Sequence, residues 1–168
     1  GAETPKTDTT ENERSVGFLL TYGKFKFLDV GDLTRDMEMQ LACPVNKLGT
    51  VTLFQATHHG FVNDFSGTPA HVLALKPQVV IVNNGATKGC APEVFETLKT
   101  TKSIEAIYQV HKNQRPDGAT NNVIDEYIAN PDAKECKGNY IKLSVAPDAK
   151  SYTVSVPATK HERTFTVK

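Results

Sequence analysis

Two histidines and a glycine close an apolar run, Val51-Thr52-Leu53-Phe54-Gln55-Ala56-Thr57-His58-His59-Gly60. Upstream, Lys24-Phe25-Lys26-Phe27-Leu28-Asp29-Val30-Gly31-Asp32 is built the same way and ends on a carboxylate. Imidazole and carboxylate are the donor types that suit zinc, manganese or iron. Open α/β sheets place their chemistry at the carboxyl ends of strands, where both runs deliver these groups. A carboxylate bridging two metals, with a histidine on one of them, suits hydrolysis in which a metal-bound hydroxide attacks an ester or phosphoester. Gly31 allows the backbone to turn and approach a ligand closely. Plainer roles compete. Asp32 lies just before Leu33 and also suits a helix N-cap, and His58-His59 suits a surface turn. Successive side chains of an extended segment point to opposite sides. His58 is therefore expected as the ligand, with His59 beside it or as its alternate. No H-x-H-x-D-H cluster occurs in the chain, so the expected site is part of a metal site.

A second loop, Asn83-Asn84-Gly85-Ala86-Thr87-Lys88-Gly89, follows an apolar run. Asn84 and Lys88 are the candidate substrate contacts: an amide to line a pocket and an ammonium to neutralise an anion. The competing role is an ordinary turn. The loop is not G-x-x-x-x-G-K-[ST], and no Gly-x-Ser-x-Gly elbow occurs. Three histidines stand apart. His71 sits in a helical pattern, where a surface or half-buried role is expected. His111 follows the strand Ile104–Val110, so a place on the same rim is weighed for it against a role away from the site. His161 falls in a turn and is expected in solvent. Cys43, Cys90 and Cys136 are too scattered for a zinc knuckle. Buried or free thiols are expected, or one disulfide plus a free thiol if the protein is exported.

The elements that must position these groups follow from periodicity. Residues 1–13 are rich in Thr, Glu and Asp and read as a flexible lead-in to a domain over 14–168. Ser15–Tyr22 and Lys24–Val30 predict a hairpin around Gly23. Leu33, Met37 and Leu41 form a stripe that predicts a helix over Leu33–Ala42, capped by Thr34 or Asp32 and stopped by Pro44. Val51–Thr57 predicts a strand, and Thr68-Pro69 opens a short helix with Val72 and Leu75 inward. Gln78–Val82 reads as a strand buried on both faces. Pro92–Lys99 predicts a helix carrying Val94, Phe95 and Leu98, and Ile104–Val110 a further strand. This alternation favours an α/β layered sheet. Residues 112–138 are polar and read as one long surface loop. Tyr140–Val145, Tyr152–Val156 and Thr164–Val167 alternate apolar and polar residues and predict an antiparallel meander.

Composition narrows the function classes. At 168 residues the chain can bury a core without disulfides. Lys plus Arg equals Asp plus Glu, which disfavours a non-specific nucleic-acid binder. No run approaches the ~20 apolar residues that span a bilayer, so no membrane partner is expected. Gly1-Ala2-Glu3 reads as a trimmed end without a signal-peptide pattern. Location is left open, with export among the alternatives.

The order Phe27-Leu28-Asp29-Val30-Gly31-Asp32-Leu33, then Ala56-Thr57-His58-His59-Gly60, then Leu75-Lys76-Pro77-Gln78-Val79-Val80-Ile81-Val82-Asn83-Asn84-Gly85 resembles the second half of a metallo-β-lactamase-fold hydrolase. The branch it looks most like includes the hydrolase domain of competence-type DNA-uptake proteins. The resemblance covers roughly residues 14–110. It implies an α/β fold, the second half of an αββα sandwich: a mixed sheet with flanking helices, here followed by the meander. It implies Asp32 as bridging metal carboxylate and His58 as the last metal-binding histidine. Zinc is the implied cofactor, with manganese or iron as alternatives, and a small-molecule ester or phosphoester the implied substrate. The family's first-half ligand cluster is absent. A missing N-terminal half or a homodimer is expected to complete the site and cover a bare sheet face. The alternative is a non-catalytic remnant or interaction module of the same fold.

Overall fold

The computed structural model describes residues 10–61, 68–132 and 136–168. The described residues form a mixed six-stranded sheet, three α-helices and a separate antiparallel three-stranded sheet. The large sheet runs in sequence order: β1 (Phe18–Tyr22), β2 (Phe25–Asp29), β3 (Leu53–Gln55), β4 (Val79–Val82), β5 (Ala106–His111) and β6 (Ile128–Asn130). β1 pairs antiparallel with β2 through the expected hairpin, and β2 through β6 are parallel. The carboxyl ends of β2 to β5 therefore share one edge. That is the edge onto which Asp32, His58, Asn84 and His111 emerge.

Residue parity divides the core in two. Leu28, Phe54, Val80 and Ile107 point to one face. There they meet α1 (Arg35–Ala42), α2 (Pro69–Leu75) and α3 (Pro92–Thr100) through Met37, Val72, Leu75, Val94, Phe95 and Leu98. Their neighbours Phe25, Leu53, Val79, Ala106 and Tyr108 point to the other face. They are covered by Tyr152, Val154, Val156 and Phe165 of the second sheet, β7 (Lys142–Val145), β8 (Ser151–Val156) and β9 (His161–Thr166). Each fully buried Val, Leu, Ile or Phe side chain of these layers contributes about 1.5–3 kcal/mol. The expected bare sheet face is thus largely filled by the chain's own meander. What stays open on that face is the edge strand β1, where Phe18, Leu20 and Tyr22 are about half exposed.

Three expectations need correction. The loop over 112–138 is not structureless. It carries 3-10 turns at Pro116–Ala119 and Asp125–Tyr127 and supplies β6, the sixth strand; residues 133–135 lie outside the described residues. His71 is not at the surface but sealed in the core. His161 is not free in solvent: it opens β9, and its Nε2 lies 3.1 Å from the Tyr108 hydroxyl. Of the expected lead-in, residues 1–9 fall outside the description, and Glu11–Arg14 form a 3-10 turn. The described cysteines are free thiols, Cys43 and Cys136 exposed and Cys90 buried.

Candidate functional site

The site begins with two backbone turns. At the end of β2, the Asp29 carboxylate accepts a hydrogen bond from the Gly31 N–H at 2.9 Å and another from the Gln55 side chain at 2.8 Å. Gly31 has φ +60°, a conformation glycine adopts without steric cost. The chain swings away from the strand there and presents Asp32. Thr34, not Asp32, occupies the N-cap position of α1. The Asp32 carboxylate, about one-third exposed, is therefore free of a capping role.

The second turn departs from the expected extended segment. After β3 the chain enters a tight turn over Thr57–Gly60, with φ of 50° at His58, 62° at His59 and 68° at Gly60. Left-handed backbone at a non-glycine residue costs about 1–3 kcal/mol and persists where surrounding contacts over-determine it. Those contacts are present. The His58 N–H donates to the Gly31 carbonyl at 3.0 Å, tying the two turns together. The His59 and Gly60 carbonyls accept from the Cys90 and Ala91 N–H groups at 2.8 Å. Because the turn is not extended, the two rings do not point to opposite sides. Both approach Asp32: His58 Nε2 lies 3.9 Å and His59 Nε2 3.5 Å from its carboxylate oxygens.

The rings differ in environment. His58 is buried, and burial pushes its pKa below the ordinary 6.5. Asp32 pulls it upward, His59 and Lys88 add to the depression, and Glu38 opposes it. The neutral imidazole that results is the metal-binding form. Its Nδ1 is buried without a hydrogen-bond partner. His59 is more open, and its Nδ1 lies 3.1 Å from the Asn83 carbonyl. A carbonyl only accepts, so Nδ1 carries a proton, and Nε2 is the ring atom turned toward Asp32. Such a second-side hydrogen bond also fixes ring orientation in metal-binding histidines.

The two substrate-side expectations fare differently. Asn84 is fully buried, and its side chain donates to the His111 carbonyl at 2.7 Å and the Gly85 carbonyl at 3.1 Å. It joins the ends of β4 and β5 and has no donor left for a ligand. Lys88 is exposed and close enough to act on the charge of His58. His111 contributes backbone contacts to Asn84.

Several positioning groups carry no sequence signal of their own. Arg115 donates to the Gly89 and Cys90 carbonyls at 2.5 and 3.1 Å and is itself held by Asp117 at 2.9 Å. Asn121 adds a bond to the Cys90 carbonyl at 2.6 Å. The loop after β5 thus braces the Gly89–Ala91 segment, which in turn holds His59 and Gly60. Only the polar richness of residues 112–122 hinted at such a role.

Among the described residues, no group of three or more His, Cys, Asp or Glu side chains is arranged to hold a metal ion. Asp32, His58 and His59 approach one another pairwise without forming a full coordination shell. Two imidazoles and a carboxylate are donor types a divalent ion takes, and they are fewer than the four of a closed tetrahedral shell. No protein-family model matches the chain, and no curated protein matches it.

Proposed function

We propose that the chain is a metal-dependent hydrolase of the metallo-β-lactamase fold. Asp32 and His58 would be metal ligands, with His59 beside them and zinc, manganese or iron as the ion. The reading is carried by the convergence of two imidazole Nε2 atoms on the Asp32 carboxylate, at the carboxyl ends of the adjacent parallel strands β2 and β3. The layer order, helices on one face and antiparallel strands on the other, is compatible with half of an αββα sandwich. A divalent ion there would polarise an ester or phosphoester oxygen and lower the pKa of water. The residues' own work is to orient and exclude. The Asn83 carbonyl holds the His59 ring, burial keeps His58 neutral, and exposed Lys88 offers charge to an anionic substrate. A missing N-terminal half or a second copy of the chain would complete the shell.

The absence of a three-donor group among the described residues favours one other reading, a non-catalytic interaction module of the same fold. Elemental mass spectrometry of the protein and of Asp32→Ala and His58→Ala separates the two. The hydrolase reading expects near-stoichiometric metal that falls in both variants, together with phosphodiester or ester hydrolysis that falls with it. Folded variants indistinguishable from the parent, or no metal after reconstitution, would select the module.

A further inference from the structure

At the opposite end of the parallel sheet from Asp32, where β2, β3 and β4 begin, lies a cavity of about 510 Å3. Four lysines line it: Lys24, Lys26, Lys76 and Lys168. Only Lys168 has an acidic partner, Glu105, among the described residues. The other polar groups of the wall are mostly spent. Thr52 Oγ1 accepts from the Lys26 N–H at 3.0 Å. Gln78 donates to Glu105 and to the Thr166 carbonyl and accepts from the Tyr152 hydroxyl. The Ser103 hydroxyl, in the same wall, is buried and has no hydrogen-bond partner. What remains is a set of unspent donors, three ammonium groups and a hydroxyl, around one concavity.

The chain as a whole carries no net charge. Three uncompensated cations gathered at one end therefore make a local positive field, and that gathering costs mutual repulsion unless an anion relieves it. The volume suits a small ligand and not a polymer track. Lysine binds phosphate as a point charge. We propose that this cavity is a second binding site, separate from the Asp32 end, for a small oxyanion of at least two charges, of the phosphate or diphosphate class. Lys24, Lys26 and Lys76 supply the charge, and Ser103 donates a hydrogen bond.

Titration calorimetry of the full chain with inorganic pyrophosphate tests it. One site per chain is expected, tighter for pyrophosphate than for orthophosphate and weakened by added salt. The double variant Lys26→Gln/Lys76→Gln should weaken binding by roughly tenfold or more, about 1.4 kcal/mol per tenfold. Asp32→Ala should bind as the parent does. Lys76 is exposed and Lys26 half-buried, and Lys26→Gln keeps the backbone bond to Thr52, so thermal melting should show the double variant folded. The single variant Lys24→Glu, at an exposed position, gives an independent reading in the same direction. The proposal is overturned if pyrophosphate does not bind, if binding survives the lysine variants, or if it is lost in Asp32→Ala. It is equally overturned if only a single-stranded oligonucleotide binds and pyrophosphate does not compete.

Discussion

Glu38 and His71 meet in the interior, Oε1 to Nδ1 at 3.1 Å, with 0% and 1% of their surfaces exposed. The second carboxylate oxygen accepts from the Thr68 N–H at 2.9 Å. One side chain of α1 therefore anchors both the first turn of α2 and its histidine. Removing one member of a buried polar pair costs about 3–5 kcal/mol, because the other is left unpartnered. Glu38→Ala is expected to lose about that much in urea denaturation. Glu38→Gln keeps one acceptor and should lose about 1–3 kcal/mol. Equal, small losses in both would mean that the anchor contributes little.

The Gly89–His59 contact yields a prediction about the site itself. Gly89 has φ +81°, and a Cβ there would lie 2.2 Å from the His59 carbonyl oxygen. Gly89→Ala must push the two segments apart and break the Cys90 N–H bond to that carbonyl. His59 then loses its place opposite Asp32. Metal uptake should fall in this variant although no ligand has changed. Thr87→Ala, on the exposed part of the same loop, should leave it intact. Unaltered metal content in Gly89→Ala would remove His59 from the site.

Much of this organisation was legible in the chain, because hydrophobic parity and turn residues act locally. The hairpin around Gly23, the Thr68-Pro69 helix start and the tail meander fall where the pattern puts them. Thr68 caps α2 through the His71 N–H, as the N-cap and Pro pairing implies. What was not legible depends on long-range pairing. Nothing near Glu38 announces that it is buried, since its partner lies on another helix. The stripe Leu33, Met37, Leu41 correctly faces the core, yet Glu38 goes deeper than any of the three. β6 is a three-residue strand that becomes a strand only by pairing with β5. At the site, sequence supplied the donors. The relative placement of His58 and His59 depends on a left-handed turn that no propensity fixes.

The two lowered histidines set the acid limb of stability. Burial is the main cause at both His58 and His161; at His161, Glu126 opposes it and Arg163 adds to it. The unfolded chain protonates near the ordinary 6.5, and the folded chain only at lower pH. Above 6.5 both rings are neutral in both states and the stabilisation is complete. As pH falls from there toward the folded values, the unfolded state binds more protons and stability is lost. The urea midpoint should therefore decline from pH 7 to pH 5. His161→Gln, which keeps an acceptor for the Tyr108 hydroxyl, should make that decline shallower. A profile equally steep in the variant would place the acid sensitivity elsewhere.

Thiol chemistry tests the packing around Cys90. Burial pushes its pKa up to about 12, with Asp117 adding to the shift and Arg115 opposing it. Its Sγ donates to the Asn121 carbonyl and accepts from Gln109, each at 3.2 Å. At pH 8 the reactive thiolate is on the order of one part in ten thousand there. Native protein should show two fast-reacting thiols, Cys43 and Cys136, and release the third only on unfolding. A third fast thiol in the folded state would mean that the loop carrying Asn121 opens, and with it the brace behind His59.

Edge strand β1 carries the prediction about assembly. Phe18, Leu20 and Tyr22 lie on the face that β2 shares with the second sheet, yet the meander touches the row at Tyr22 and leaves all three about half exposed. Phe18 packs edge-on against Phe27 at 5.6 Å, and Tyr22 reaches the Pro147 carbonyl at 2.7 Å, so the row is ordered and still open. Its outer edge has no strand partner among the described residues. An apolar row on an open, unpaired edge is a template for further pairing. The chain should therefore self-associate as its concentration rises. Leu20→Lys places a charge in the middle of the row at a position already half exposed, so it should restore a monomer in light scattering with little loss of stability. A parent that stays monomeric would remove a second copy as the source of the groups that complete the Asp32 site.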